Sequence, residues 1–585
     1  MYVRPRPRFR PRNAGGVPFS PALLFTSGVA GAWYDPSDTS TLFQDSAGTT
    51  PVTAVEQPVG LMLDKSQGLV LGSELVTNGD FASASGWTLP GTGTNSITGG
   101  QAVLSGASGY LLRTGTSITA GNWYRVSFTV SGYSGSGTVR PYIQASPVFG
   151  SNVTGNGTFV QYLLATATNA STEVGLNFGT SFTGNIDDIS IKSIAGNHAL
   201  QATSASRPVL RARYNLLTYS EQFDNAAWSI SGVTRSNNTQ TAPDGTVTAE
   251  TITGSSGTSA ILFTTSGYTA LAGNLTVSTY IKAGTADYAV LSLWAGSGII
   301  GVNFWVNVQT GAVGSNSVTA GYTFVSGSST AVGNGWYRVV LTGTVPAGII
   351  YYSLRLVDGD NAFNYTNTVG KTLFVWGADL RTGSSAGTYQ RIAAATDYAT
   401  AGFLPYLSLD GTDDSIATGS INFTATDKMS VVAGLTKLST ASVEVILETS
   451  SLYDANPGAF VLAARGAATD YFGFKGGTSG TYNDNLFETA AVPVTFVFTG
   501  TIDINQALIA DESDVRLNGA TTSQSHAGTV QTGNFGNYPL YIGRRGGTTL
   551  PFNGRVYQIV VCGKTLSASE LASTEAYVNA RTGAY

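Results

Sequence analysis

The sequence predicts an all-β protein made of several β-sandwiches and ending in one short helix. Three observations carry this. Short β-branched and aromatic runs are punctuated throughout by Gly, Asn, Ser and Thr, with 72 Gly in 585 residues and only 11% charged residues; many short strands joined by turns have this profile. The run Tyr124 to Val130 alternates strictly, with Tyr124, Val126, Phe128 and Val130 on one face and Arg125, Ser127 and Thr129 on the other, the period of a half-buried strand. Finally, Gly121-Asn122-Trp123-Tyr124-Arg125-Val126 returns as Gly335-Trp336-Tyr337-Arg338-Val339 inside a longer shared order, so two copies of one module are expected.

Composition excludes several classes. A net charge of −5 gives no global basic field for nucleic acid. The single cysteine, Cys562, rules out an internal disulfide framework and reads as a small buried residue of the Val556–Val561 run. No apolar run approaches the about 18 residues of a membrane span, and the N-terminus lacks a secretory apolar core. Adhesin-like composition without signal or disulfides is expected of a protein assembled in a cytoplasm and released by lysis, as a phage virion protein is.

Taken in order, residues 1–29 begin with alternating Arg and Pro, which favours an extended polyproline II arm. Arg4, Arg6, Arg8, Arg10 and Arg12 read either as a hook onto an acidic virion partner or as a solvated terminus. Next come Ala30-Gly31-Ala32-Trp33-Tyr34-Asp35-Pro36 and Gly60-Leu61-Met62-Leu63-Asp64-Lys65-Ser66. These resemble the opening of laminin-G/concanavalin-A-like domains of phage virion and tail proteins. In that family Gly-Asn-His-Ala and Arg-Pro follow closely; here they stand at Gly196-Asn197-His198-Ala199 and Arg207-Pro208, and the expected Asp-Gly-x-Asp-Asp at Asp410 to Asp414. The resemblance implies one concanavalin-A-like sandwich formed by 30–72, 196–212 and 400–585 and interrupted twice. Neither early segment is long enough to bury a core alone, and modules with adjacent ends are tolerated in surface loops. Three consecutive independent domains are the alternative.

The first insert, 73–195, carries Asn78-Gly79-Asp80-Phe81, Trp87 and Ile186-Asp187-Asp188-Ile189 and resembles the jelly-roll carbohydrate-binding modules. The second, 213–399, carries Asn215-Leu216-Leu217, Phe223, Trp228 and a closing strand Leu373 to Leu380, and resembles a divergent form of that module. At the end Ser567 and Glu570 form a capping box, with Leu566 and Leu571 as a staple. A helix is predicted from about Ala568 to Ala580, packed across the sandwich edge.

Catalytic groups are sparse. His198 and His526 have no His or Cys neighbours that would make a zinc site or a triad, and no phosphate loop or dinucleotide fingerprint is present. Asp410, Asp413 and Asp414, like Asp511, Glu512 and Asp514, cluster in turns; turn capping, a hard cation or a carboxylate pair remain open. The chain is therefore read as not an enzyme. The module resemblance implies structural calcium held by Asp80 with Asp187 or Asp188, and by Glu221 or Asp224 with Asp379, completed by carbonyls. Sugar binding needs exposed aromatic faces beside polar partners. Tyr110, Tyr133, Tyr142, Trp294 and Trp305, all in Gly-rich text, are the candidates. Trp87, Trp123, Trp228 and Trp336 read as structural. The expectation is a phage tail-fibre, spike or head-fibre adhesin in the virion. It would bind host-surface polysaccharide and other virion proteins, and form a trimer by analogy with fibres. A non-sugar-binding decoration subunit and a glycan depolymerase are the alternatives.

Overall fold

The computed structural model describes residues 19–585 other than 271, 440–441, 466–468 and 490–491. The Arg4–Arg12 arm lies outside the described residues. The architecture is all-β, in several antiparallel sandwiches, with a short C-terminal helix.

Two sheets draw strands from widely separated stretches. One joins Gly31–Tyr34 and Val209–Arg211 to Tyr406–Asp410, Lys428–Lys437, Val494–Asp503 and Asn553–Cys562; the other joins Leu61–Met62 and Ala199–Leu200 to Ile416–Asn422, Asn537–Ile542 and further strands up to Gln524–Gly528. A single buried core lies between them, containing Tyr34, Met62, Ala199, Leu210, Leu407, Phe472 and Ile559. The separated pieces meet at one carboxylate. Buried Asp64 accepts from the backbone N–H of Trp33 (2.8 Å), Ser66 (2.8 Å) and Asn197 (2.7 Å) and from the Ser66 hydroxyl (2.8 Å). In return the Asp64 N–H donates to His198 Nδ1 at 2.9 Å, so the proton sits on Nε2. Burial pushes the His198 pKa down to about 3, and the ring is a neutral strut.

Strands between Leu71 and Ile194 make a separate sandwich with its own core. Its two longest strands, Gln101–Ile118 and Asn169–Ile194, pair along most of their length. The second is long enough to serve both layers: its first half pairs with Val139–Ile143 and its later half with Trp123–Ser134. The register shifts around Phe178–Gly184 mark the bend. Tyr124, Val126, Phe128 and Val130 are buried, as their alternation predicts. The ends of this sandwich lie side by side, with Leu71 opposite Ile194.

Strands from Trp228 to Thr382 form a third sandwich of a 7-stranded and a 6-stranded sheet around Phe223, Leu291, Phe304, Leu341 and Tyr352. Its flanks also meet: Arg211 pairs with Tyr406, and Gln390 Nε2 donates to Ala212 O at 2.7 Å.

The helix Ala568–Thr582 has the predicted capping box and ends at Gly583 in the left-handed region (φ 66°). Its placement corrects the expectation. It packs on the outer face of the central strands Lys428–Lys437, Val494–Asp503 and Asn553–Cys562, not across an edge. The reason is an apolar outer patch, Trp33, Val432, Val497 and Val560, that needs covering; Leu566 and Val578 join it, and so do Leu24 and Phe25 from the short Pro21–Gly28 segment. Cys562 lies in this layer, its thiol pushed up to about 12 by burial, which suits packing and not reactivity. Among the described residues no helix is long and apolar enough to cross a membrane.

The two Trp-Tyr-Arg strands differ in what their tryptophans do. Trp336 lies on the outer face of its sheet, opposite the core residues Val339 and Leu341, and is covered by Trp376 and Ala249 of the same sandwich. Trp123, also on an outer face, is covered by Leu61, Leu63 and Ile194, with its ring 5.3 Å from that of His198. Trp123 therefore belongs to the junction between two sandwiches.

Candidate functional site

The sandwich between Leu71 and Ile194 carries an open aromatic face. Register places Phe149, Tyr142, Gly175 and Leu112 in one cross-strand row, and Arg140, Asn177 and Tyr110 in the next. Rows two residues apart share a face, and the opposite face (Val139, Ile143, Val174, Leu176) is core. Gly175 puts no side chain between Tyr142 and Leu112. It could not be replaced simply, because a Cβ there would sit 2.1 Å from Leu111 O. The Tyr110 and Tyr142 rings stand 4.7 Å apart, and Tyr142 and Phe149 5.0 Å. Tyr110 and Phe149 are each 38% exposed, while Tyr142, between them, is 7% exposed.

Polar groups flank these rings. The Arg140 guanidinium lies 4.1 Å from the Phe149 ring centroid, and its Nε donates to Asn177 Oδ1 at 3.0 Å. Asn177 Nδ2 donates to Gly109 O at 3.2 Å. Arg140 is thereby held over the ring, and among the described residues no protein acceptor takes its Nη groups. Burial, then Tyr110 and Glu173, push the Tyr142 phenol up, so it stays a neutral donor. The arrangement offers stacking surface beside fixed donors and acceptors, which is what a pyranose needs.

Tyr110 and Tyr142 come together here; the other three aromatic candidates do not join them. Tyr133 turns inward at the bend, its hydroxyl on Gly137 O at 2.9 Å and its ring against Phe182. Trp294 and Trp305 lie on the outer face of the 7-stranded sheet, but that face is sealed. Trp305 is 1% exposed, with Nε1 donating to Ala362 O at 3.1 Å. Trp294 is 9% exposed and donates to Ser297 O at 3.1 Å. The Gly-rich text that suggested open loops instead folds back over the sheet, where buried Arg355 and Asn303 bond the carbonyls of Gly298 and Ile299. Sequence reasoning missed Phe149, Arg140 and Asn177. Only the pairing of strands brings the two-residue strand Val148–Phe149 beside Tyr142.

Most of the carboxylates expected to hold calcium already have partners within the chain. Asp379 is buried and forms a bidentate pair with Arg381 (2.9 and 2.8 Å). Glu221 accepts from the Tyr389 hydroxyl at 3.0 Å. Asp224 stands by Glu250, where a cation is already built in: Arg235 donates to Phe223 O and lies 3.9 Å from Glu250. In the sandwich between Leu71 and Ile194 Asp80 accepts from Ala82 N and Asp187 from Asp188 N, both local turn contacts. Asp224 accepts from Asn237 Nδ2 at 2.6 Å, and among the described residues none of the six expected ligands joins a group of three metal-ligating side chains.

Among the described residues one carboxylate trio gathers, Asp410, Asp413 and Asp414, with oxygens within 4.8 Å. Asp410 accepts from Thr412 N and Asp413 N, Asp414 from Asp410 N, and Asp413 from the Ser206 hydroxyl. These bonds cap a turn. Burial, then Asp410, push Asp414 to about 7. Glu512, of the other cluster, is buried on Asn483 Nδ2 and Gln531 N.

No family model matches this chain, and no curated protein matches it. Among solved structures it is similar to the receptor-binding domain of botulinum neurotoxin type G, at 10% identity over 30% of this chain and 42% of that one, TM-score 0.23. It is also similar to the Ruminococcus gnavus IT-sialidase CBM40 bound to α2,3 sialyllactose, at 14% identity over 29% of this chain and 95% of that one, TM-score 0.22. A third is the CBM22 tandem of Paenibacillus barcinonensis Xyn10C, at 10% identity over 53% and 98%, TM-score 0.22. The chain spans less than half the length of the two toxin structures it matches.

Proposed function

We propose that this chain is a glycan-binding adhesin of a bacteriophage particle, of the tail-fibre, spike or head-fibre kind. In this reading 30–72, 196–212 and 400–585 form one concanavalin-A-like host, and 73–195 and 213–399 are guest modules set into its loops. The observation that carries glycan binding is the aromatic cluster of half-exposed Tyr110 and Phe149 about Tyr142, with Arg140 and Asn177 beside it. The phage setting rests on the resemblance of the Trp33–Ser66 and Gly196–Pro208 segments to virion proteins, and on the Arg/Pro arm as an anchor. Trimers, by analogy with fibres, would multiply weak sites into avidity.

The test is binding of the full chain to host cells and to arrayed surface glycans, beside Tyr110→Ala and Tyr142→Ala. Losing one stacking ring should weaken retention about tenfold, from about 0.5–1.5 kcal/mol for a ring contact together with the area it buries. Retention on no host surface, or retention untouched by both substitutions, refutes the reading. The sealed face around Trp305 favours a second role for the other guest, as a packing element between virion subunits. A particle map with that guest buried between neighbours would support it.

A further inference from the structure

A cleft of about 710 Å³ lies where the second guest meets the host. One wall is Asn274, Thr344 and the 381–388 segment of the guest; the other is Thr495, Arg555 and Tyr557 of the host with Arg581 at the helix end; Tyr214 and Phe403 of the two connecting segments also line it. Its chemistry is one-sided. Arg381, Arg555 and Arg581 line it, and no Asp or Glu does, although the chain as a whole carries −5. Arg381 is already neutralised by Asp379 (2.8 Å). Arg555 and Arg581 have no carboxylate within 4 Å among the described residues.

Both free guanidinia are held in place by rings. Arg555 lies 4.6 Å from the Tyr406 centroid and 5.9 Å from that of Tyr214; Arg581 lies 4.0 Å from Tyr577 and donates to its hydroxyl at 3.1 Å. An aromatic-clamped arginine loses little entropy on gripping a planar anion and suits a bidentate carboxylate. The last helical carbonyls, which oppose an anion, are partly answered by Gly583 N on Asn579 O. The remaining lining is rich in hydroxyls and amides, with the Tyr214 and Phe403 rings 5.8 Å apart. The volume suits a small ligand.

We propose that this cleft is a second glycan site that takes a carboxylated sugar unit, a uronic or nonulosonic acid, with its carboxylate on Arg555 and Arg581. The proposal deepens the glycan-binding reading by naming a charge class, but it uses none of the residues of the Tyr142 face, so the two can fail separately.

The test is calorimetric titration of the full chain with D-glucuronate, digalacturonate, N-acetylneuraminate, the dimethyl ester of digalacturonate and inorganic phosphate. At least one of the three carboxylated probes should bind, the ester at least tenfold more weakly, and phosphate more weakly still. Arg581→Gln, at the helix end, should weaken the carboxylated probe at least tenfold with unchanged melting, and Arg555→Gln should do the same. Arg581→Gln decides the matter if Arg555→Gln does not fold. Tyr142→Ala should leave this binding untouched. The proposal is overturned if no carboxylated probe binds, if ester or phosphate binds equally, or if Arg581→Gln changes nothing. Loss on Tyr142→Ala alone overturns it while leaving the adhesin reading in place.

Discussion

Removing the Asp64 carboxylate should loosen the host without touching its guests. Asp64→Ala strips the acceptor from three backbone N–H groups and one hydroxyl, all at 2.7–2.8 Å in a buried setting. Hydrogen bonds to a charged group contribute about 1.5–3 kcal/mol each, and orphaned buried donors cost about 1–3 kcal/mol. The four are not additive, since Ser66 can rotate and water can reach part of the gap. A total of about 3–5 kcal/mol is expected, similar to breaking a buried ion pair. Asp64→Asn keeps the shape but turns an amide N–H toward donors, so it should lose at least half as much. In a multidomain chain a single unfolding energy is undefined, so the assay is differential scanning calorimetry with the host transition resolved. At about 2–4 °C per kcal/mol for a unit of this size, that transition should fall by about 6–20 °C and the guest transitions should hold. A host shift under about 2 °C, or an equal shift in every transition, would show that Asp64 does not join the separated pieces.

Three further outcomes follow from the packing. Glu250 is buried, its Oε2 accepts no hydrogen bond, and its pKa is pushed up to about 7, first by burial and then by Asp224, against the pull of Arg235 at 3.9 Å. Its folded pKa exceeds the unfolded one, so the second guest should be most stable below about pH 4.5 and lose stability as pH rises through 7; Glu250→Gln should flatten that slope and gain about 1–2 kcal/mol at pH 8, read by denaturant titration at pH 5 and 8. Trp123→Ala should cost about 3–5 kcal/mol at the junction and separate host and first-guest melting transitions that otherwise overlap; unchanged calorimetric overlap counts against the junction role. Excising residues 72–194 and joining the ends with a short Gly/Ser link should leave a folded host, because Leu71 and Ile194 are already opposite one another; an insoluble or molten product argues that the guest completes the host core.

Much of the fold was legible because alternation is local. The Tyr124–Val130 strand, the Ser567 and Glu570 caps and the buried Cys562 depend on neighbours a few residues away. The candidate face was half legible. Tyr110 and Tyr142 stand out as aromatics in Gly-rich text, but Phe149 joins them only through antiparallel pairing, and Arg140 only through Asn177 across a sheet. The opposite error at Trp305 has the same source. Glycine-rich loops can open or fold back, and the deciding carbonyls of Ile299 and Ala362 carry no sequence signal. The calcium expectation left out partners from within the chain, such as Arg381 on Asp379 and Asn237 on Asp224.

One pairing has a consequence for how the protein is made. The strand Gly31–Tyr34 is paired with Asn553–Cys562, which is synthesised about 520 residues later. Each guest, by contrast, holds all its strands in one continuous stretch. At about 5–20 residues per second, the guests can close while the early host strands wait roughly half a minute or longer for their partner. During that wait apolar Trp33, Leu61 and Leu63 have no sheet to cover them, except where Trp123 of the newly folded first guest already shields Leu61 and Leu63. The junction tryptophan therefore gives the nascent chain a chaperone of its own making.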